Sequence, residues 1–154
     1  MISSNLQVPA AQIRPAATSD LPRVEMLLTA SQLPLTGVRE ALADFVVAEA
    51  DGEIVGVDGL ELCCDDALLR SVAVAPEWRS KGLGRALVTR AVAEAEARGI
   101  RALYLLTTTA EHYFPSLGFQ RVGRDEVPAE VKATEEFTTA CPASATVMSR
   151  VLRA

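Results

Sequence analysis

A basic, glycine-rich segment has the residue types and spacing with the clearest chemical meaning in this chain. It reads Arg79-Ser80-Lys81-Gly82-Leu83-Gly84-Arg85. Glycine lets a ligand approach the backbone closely, and backbone N–H groups at the start of a helix bind phosphate groups. The three basic side chains add local positive charge to a chain whose formal net charge is -5. The segment therefore predicts a binding site for a phosphate-bearing small molecule.

Two other phosphate-binding loops do not fit this spacing. The loop of nucleoside triphosphatases ends in Gly-Lys followed by Ser or Thr, a combination that this segment lacks. The dinucleotide fingerprint requires a third glycine at the position that Leu87 occupies. Its loop also follows a strand directly, whereas Pro76, Glu77 and Trp78 intervene here. The phosphate site therefore belongs to another class of fold.

The segments around the loop predict a mixed α/β arrangement. Residues 68–74 form a predicted strand, and helical spacing of apolar residues predicts a long helix over 82–98, capped by Gly99. The near-continuous apolar run 102–106 is typical of a buried parallel strand. An antiparallel meander precedes the loop, with a hairpin turn at Asp51-Gly52. The other predicted strands are 13–16, 45–50, 53–60, 119–122 and 145–152, and shorter helices are predicted from Leu21 onward and at 37–44, 110–117 and 128–137.

The strand, loop and helix together resemble the GNAT superfamily of N-acetyltransferases. That family carries an Arg/Gln-x-x-Gly-x-Gly/Ala loop after a strand of the kind Val72-Ala73-Val74. It also has a second element that ends as Leu117-Gly118-Phe119 does here. The resemblance implies the α/β (α+β) GNAT fold, a mixed, mostly antiparallel sheet of six to seven strands flanked by helices. It implies one acetyltransferase domain over 12–154 after a flexible leader at 1–11.

The resemblance also implies acetyl-CoA as the acetyl donor. The loop from Arg79 to Arg85 would bind the pyrophosphate of coenzyme A through its amides. The strand formed by Val72, Ala73 and Val74 would hold the pantetheine arm. The acetyl group would pass to the primary amine of a small molecule by direct attack in a ternary complex. Neither a covalent enzyme intermediate nor a metal is expected.

Further segments are similar to the arsenic-resistance N-acetyltransferases within that superfamily, namely 103–109, the aromatic pair 113–114, 124–128, Phe137 and 141–145. This likeness implies an amino acid or an amino-acid-like toxin as the acceptor. In related amino-acid acetylators, an arginine at the position of Arg70 contacts the substrate carboxylate. The alternative for Arg70 is an exposed salt bridge. Thr107 stands where family members commonly carry asparagine, and the resemblance assigns it to the substrate site.

Three side chains are candidates for proton transfer. Phe114 stands where many family members carry the tyrosine that protonates the departing thiolate. Tyr113, one residue earlier, is either that donor or a wall of the pocket. Glu61 and Glu111 are candidate bases, because an alkylammonium must lose a proton before it attacks, and each is alternatively a solvated surface acid. The departure at Phe114 leaves a non-catalytic acyl-CoA-binding sensor as an alternative function, and a protein N-acetyltransferase is a second alternative.

Composition and short sequence patterns argue against several other classes of partner and location. The net charge of -5 over 154 residues opposes broad contact with nucleic acid phosphates. No apolar run approaches the roughly 20 residues of a membrane span, and the N-terminus lacks a signal-peptide pattern. Cys63, Cys64 and Cys141 form a poor disulfide framework, which favours a reducing cytoplasm. A thiol-based arsenite-binding protein is a further alternative. Likeness to GNAT relatives implies a homodimer.

Overall fold

Seven strands form one sheet in the part of the chain that the computed structural model describes, residues 11–140 and 144–153. In chain order they are β1 (Gln12–Pro15), β2 (Phe45–Ala50), β3 (Glu53–Cys63), β4 (Asp66–Val74), β5 (Ala102–Thr107), β6 (Gln120–Arg121) and β7 (Thr146–Val151). Their order across the sheet is β1-β2-β3-β4-β5-β7-β6. All neighbours are antiparallel except β4 and β5, which are parallel. The predicted fold class is confirmed.

Four α-helices within the described residues pack on the two faces of this sheet. They are α1 (Leu21–Ala30), α2 (Val38–Ala41), α3 (Leu83–Ala97) and α4 (Ala129–Lys132). Buried side chains of α3 join Leu69 and Leu103 in one cluster on one face. On the opposite face, Val24 and Leu28 of α1 pack against Phe45. None of the helices within the described ranges has the length and apolar character to cross a bilayer.

The long helix has the inner face that the apolar spacing predicts. Its buried residues are Leu83, Leu87, Val88, Ala91, Val92 and Ala95. The predicted end is also confirmed, since Gly99 takes a φ of +75° and the Ile100 N–H donates to the Ala95 carbonyl. The hairpin at Asp51-Gly52 is confirmed too, because both residues have positive φ.

Two predicted short helices are wrong as single helices. Over 110–117, the structure has a turn followed by a 3-10 turn at Phe114–Leu117. Pro115 has no N–H to donate, and the segment closes through the Gly118 N–H on the Pro115 carbonyl at 3.1 Å. Over 37–44, α2 is followed by a 3-10 turn rather than by a further helical turn.

The helix predicted over 128–137 is also wrong as one element. It consists of α4 and a separate π-helical turn at Glu136–Ala140. Thr134 separates the two, because its hydroxyl donates to the Val131 carbonyl at 2.8 Å and accepts the Phe137 N–H at 3.3 Å. A threonine side chain that bonds to nearby backbone offers the chain an alternative to the helical ladder.

A bulge interrupts β4. Ser71 and Val72 of this strand lie opposite the single residue Asp58 of β3. Ser71 takes a φ of +61°, a conformation uncommon for residues other than glycine. An inserted residue breaks the alternation of side chains between the two faces. Val72 consequently packs toward the α3 cluster, while Ala73 packs on the α1 side.

Candidate active site

A cleft opens where β4 and β5 separate. These strands pair only at Ala67 with Leu103 and at Leu68 with Tyr104. Beyond these pairs, residues 69–74 of β4 and 105–107 of β5 line a cleft of about 570 Å³. A strand edge with no neighbouring strand can pair its backbone groups with an extended ligand. The cleft therefore suits a long, flexible molecule that enters between the strands.

The basic loop forms part of the cleft lining. The lining residues from the loop are Arg79, Ser80, Gly82, Gly84 and Arg85. The Arg79 Nε donates to the Val74 carbonyl at 3.0 Å, which ties the loop to the end of β4. A Cβ at Gly84 would lie 3.0 Å from the Tyr113 hydroxyl, so a side chain there would narrow the cleft. Val72, Ala73 and Val74 line the adjoining wall.

Two loop residues predicted to bind the coenzyme do not project into this cleft. Lys81 is exposed and does not line the cleft. The Leu83 side chain is buried against strands β2 and β3. Ser80 has a φ of +64°. Strained backbone of this kind occurs preferentially at ligand sites, because the surrounding structure must hold it in place.

Arg70 is a buried cation in the cleft. Its side chain is 1% exposed and lies four residues before Val74 on β4. Nη1 donates to Glu61 at 3.1 Å, and Nη2 donates to the Thr36 carbonyl at 2.5 Å. Nη2 also lies 3.2 Å from Glu136 Oε1. The ion pair that the sequence allows for Arg70 is therefore present, but it is buried rather than exposed.

Glu136 is a cleft residue that no motif in the sequence indicates. It is 5% exposed, lines the cleft and pairs with Arg70. It begins the π-helical turn after Thr134, so its position depends on how the chain turns back toward β4. Glu136 and Arg70 are far apart in the sequence, so no local pattern predicts their contact. The only available guide is the general rule that buried charges are paired.

Tyr113 and Phe114 both line the cleft. Their rings meet edge to face with centroids 5.3 Å apart, and Phe114 also meets Phe119. Tyr113 is 40% exposed whereas Phe114 is buried. Burial raises the pKa of Tyr113, partly offset by nearby Arg85, so the hydroxyl keeps its proton at neutral pH.

The two glutamates named as candidate bases lie outside the cleft lining. Glu61 pairs with Arg70 and faces a separate hollow beside α2. Glu111 accepts a hydrogen bond from the Thr146 hydroxyl at 2.7 Å. That bond lowers the pKa of Glu111, with a smaller effect from Arg121, and so weakens it as a base.

Thr107 lines the cleft at the end of β5. Its hydroxyl accepts the Ala110 N–H at 2.9 Å and so caps the turn that follows. The threonine thus has a structural contact as well as a position in the cleft.

The adjacent cysteines do not converge on one site. Cys63 is buried and Cys64 is exposed, and burial raises the pKa of the Cys63 thiol to about 11. Among residues 11–140 and 144–153, no group of three His, Cys, Asp or Glu side chains is arranged to hold a metal ion. Cys141 and most of the predicted leader lie outside these residues.

A second buried carboxyl lies opposite the β4 bulge. Asp58 is 0% exposed, and neither carboxyl oxygen has a hydrogen-bond partner among the described residues. Burial raises the pKa of Asp58 well above its usual range, and the charge of Arg90 opposes this only in part. The acid is therefore stabilised in its neutral form.

With this geometry in view, comparison with known proteins identifies the family. Residues 41–121 match the model of the acetyltransferase (GNAT) domain. An amino-acid acetyltransferase of Aeromonas salmonicida is 34% identical over 88 residues, covering 56% of this chain and 20% of the relative. An uncharacterized N-acetyltransferase of Chlorobaculum tepidum is 30% identical over 99 residues, covering 60% of this chain and 59% of the relative. This chain spans only about a fifth of the length of the amino-acid acetyltransferases that it matches.

Solved structures agree on the fold. N-acetylglutamate synthase from Neisseria gonorrhoeae, in complex with coenzyme A and N-acetyl-glutamate, has a TM-score of 0.81 at 23% identity. That match covers 94% of this chain and 35% of the synthase. Rv2747 from Mycobacterium tuberculosis, solved with CoA, has a TM-score of 0.78 at 25% identity and covers 92% of this chain and 99% of that chain. Neighbours of this fold therefore include proteins that bind CoA.

Proposed function

Because the chain belongs to the GNAT acetyltransferase family, we propose that it transfers acetyl from acetyl-CoA to the primary amine of an amino acid or an amino-acid-like compound. One observation carries the proposal. The cleft between β4 and β5 is continuous with a basic loop at the start of α3. A pantetheine arm fits a separated strand edge, and a pyrophosphate fits N–H groups at a helix start.

The reaction needs few protein groups. The acceptor ammonium first loses a proton to water. The amine nitrogen then bonds to the thioester carbonyl carbon and the carbon–sulfur bond breaks. The nitrogen loses a second proton to water, and the thiolate gains one. Backbone N–H groups at the bulge beside Val72 polarise the carbonyl as negative charge develops on its oxygen. Tyr113 supplies the proton to the thiolate, which its position in the cleft supports.

The acceptor carries a carboxylate that Arg70 binds. Support comes from the cleft position of this buried cation and from relatives named amino-acid acetyltransferases.

A finer proposal is that the protein is an N-acetyltransferase of the arsenic-resistance type, whose acceptor is an amino-acid-like arsenical. It rests on the likeness of 103–109, 124–128 and 141–145 to that subgroup.

A second candidate function is a non-catalytic acyl-CoA-binding sensor. The observation that favours it is Phe114, which is buried in the cleft wall at the position of the usual proton donor. A phenyl ring cannot supply a proton. The sensor would bind acyl-CoA and release no thiol.

We also propose that the protein is a cytoplasmic homodimer. The sheet edge formed by β6 and β7 could bind a second copy of the chain. β6 has only two residues, so it covers little of β7, and Val151 is 62% exposed. Light scattering after size exclusion measures the mass directly. A monomeric mass at micromolar concentration would end the dimer proposal.

The first experiment mixes the protein with acetyl-CoA and a panel of amino acids, aminophosphonates and amino-acid-like arsenicals. Free CoA thiol is followed with a chromogenic disulfide. Thiol release that depends on one carboxylated amine supports the enzyme and identifies its acceptor class. Acetyl-CoA binding without release on any amine favours the sensor. Failure to bind acetyl-CoA contradicts both functions.

A further inference from the structure

We infer that the acceptor is a zwitterionic α-amino acid with an uncharged side chain, whose carboxylate binds Arg70 and whose ammonium binds Glu136. This inference rests on the proposed acetyl transfer to an amino acid and specifies its substrate class. It assigns Glu136 as a specificity-determining residue that contacts the reacting amine.

Two opposite charges lie side by side, almost fully buried, in the wall of the cleft. Arg70 Nη2 and Glu136 Oε1 are 3.2 Å apart, and the side chains are 1% and 7% exposed. Both residues line the cleft. An α-amino acid carries its ammonium and its carboxylate on the same carbon, so its two charges are a close match for this pair. A zwitterion can therefore replace the contact between the two side chains with one contact to each.

Glu61 makes this exchange feasible. It accepts from Arg70 Nη1 at 3.1 Å and lies outside the cleft lining, in the hollow beside α2. Arg70 thus keeps one carboxylate partner when Glu136 turns to an ammonium. A buried cation that lost its only partner would carry a large desolvation cost, which the second pair avoids.

The charge balance selects the class of acceptor. Arg70, Glu61 and Glu136 together sum to -1. A zwitterion adds no net charge to this group, whereas an acidic amino acid adds a further carboxylate. Like charges at close range in a site of low dielectric repel strongly. The site therefore favours neutral amino acids over glutamate or aspartate.

Among the residues that the structure describes, this part of the cleft has no second cation to offset an acidic side chain. Apart from Arg70, the cations in the described lining are Arg79 and Arg85, both in the loop that faces the coenzyme phosphates. The segments outside the described ranges contain no lysine or arginine. The wall beside α1 consists of uncharged residues, Gln32, Leu33 and Pro34. The acceptor side chain thus meets neutral groups.

The test compares glutamine with glutamate as acceptors, because the two have nearly the same shape and differ by one charge. We expect kcat/KM to favour glutamine at least tenfold. Glu136→Gln should bring the ratio toward one, mainly by raising KM for glutamine. Glu136→Asp keeps the charge and should keep the preference. Glu135→Gln removes the same charge from an exposed neighbour that lines the separate hollow, and the ratio should not change.

Acetyl-CoA affinity and melting temperature, measured for each variant, establish that the fold and the coenzyme site are intact. A preference for glutamate in the wild type, or an unchanged ratio in Glu136→Gln, overturns the inference. If no amino acid is acetylated although acetyl-CoA binds, the proposed function fails. Calorimetry with CoA present then tests the inference alone. Tighter binding of glutamine than of glutamate, lost in Glu136→Gln, supports it, and equal or absent binding overturns it.

Discussion

Replacing Arg70 with methionine should destabilise the fold as well as the proposed acceptor site. Methionine has a similar length but offers no donor. The change removes the cation between Glu61 and Glu136 and leaves the Thr36 carbonyl without its 2.5 Å donor. Since the Arg70 side chain is 1% exposed, water does not simply take its place. A loss of activity in this variant would therefore not by itself identify a substrate contact.

The expected loss of stability in Arg70→Met follows from the burial of the two carboxylates. Removing one partner of a buried ion pair costs about 3–5 kcal/mol. Glu61 is 27% exposed and can be hydrated after the change, whereas Glu136 is only 7% exposed. The lower end of that range, about 3 kcal/mol, is therefore expected. For a domain of this size, it corresponds to a fall in melting temperature of about 6–12 °C.

Differential scanning calorimetry at pH 7 measures this fall, and Arg98→Met is the matched control. Arg98 also contacts two carboxylates, Asp44 at 2.9 Å and Glu94 at 3.1 Å, but its side chain is 36% exposed. Ion pairs open to solvent contribute about 1 kcal/mol or less. The control should melt within about 4 °C of the wild type.

The double variant Arg70→Met with Glu136→Gln should recover part of the lost stability, because a neutral amide needs no cation. Acidification should likewise reduce the deficit, since a protonated carboxyl has no charge to compensate. Equal melting temperatures for Arg70→Met and the wild type would refute the reasoning. So would a double variant less stable than Arg70→Met.

Two further predictions concern the core and the proposed coenzyme site. Because burial raises the folded-state pKa of Asp58 above its unfolded value of about 3.9, the wild type loses stability as pH rises from 4 toward that folded pKa. Asp58→Asn should remove this loss, so its melting temperature should exceed the wild-type value by more at pH 7 than at pH 4. A gap independent of pH would contradict the burial argument. Gly84→Val should weaken acetyl-CoA binding at least tenfold by calorimetry, because its side chain would enter the space below the Tyr113 hydroxyl. Ala86→Val, an exposed change on the same helix, should bind like the wild type, and equal affinities in all three proteins would remove the loop from the site.

The sequence alone determined the elements whose signals are local. Apolar spacing predicted the inner face of α3, from Leu83 to Ala95, and the hairpin at Asp51-Gly52 followed from its turn residues. The continuous apolar run at 102–106 indicated a parallel strand. Such signals act over a few residues, so they need no knowledge of distant contacts. The loop before α3 was recognisable for the same reason.

Tertiary structure decided what depends on packing between distant segments. The bulge at Ser71 reverses the alternation of β4, and no residue near it signals this in advance. Thr134 divides a predicted helix and so brings Glu136 to Arg70. Charged side chains become partners in the interior because burial without a partner costs too much free energy, whatever their separation in the chain. The pairing of Arg70 with Glu136, on which the proposed acceptor site rests, is for this reason visible only in the folded protein.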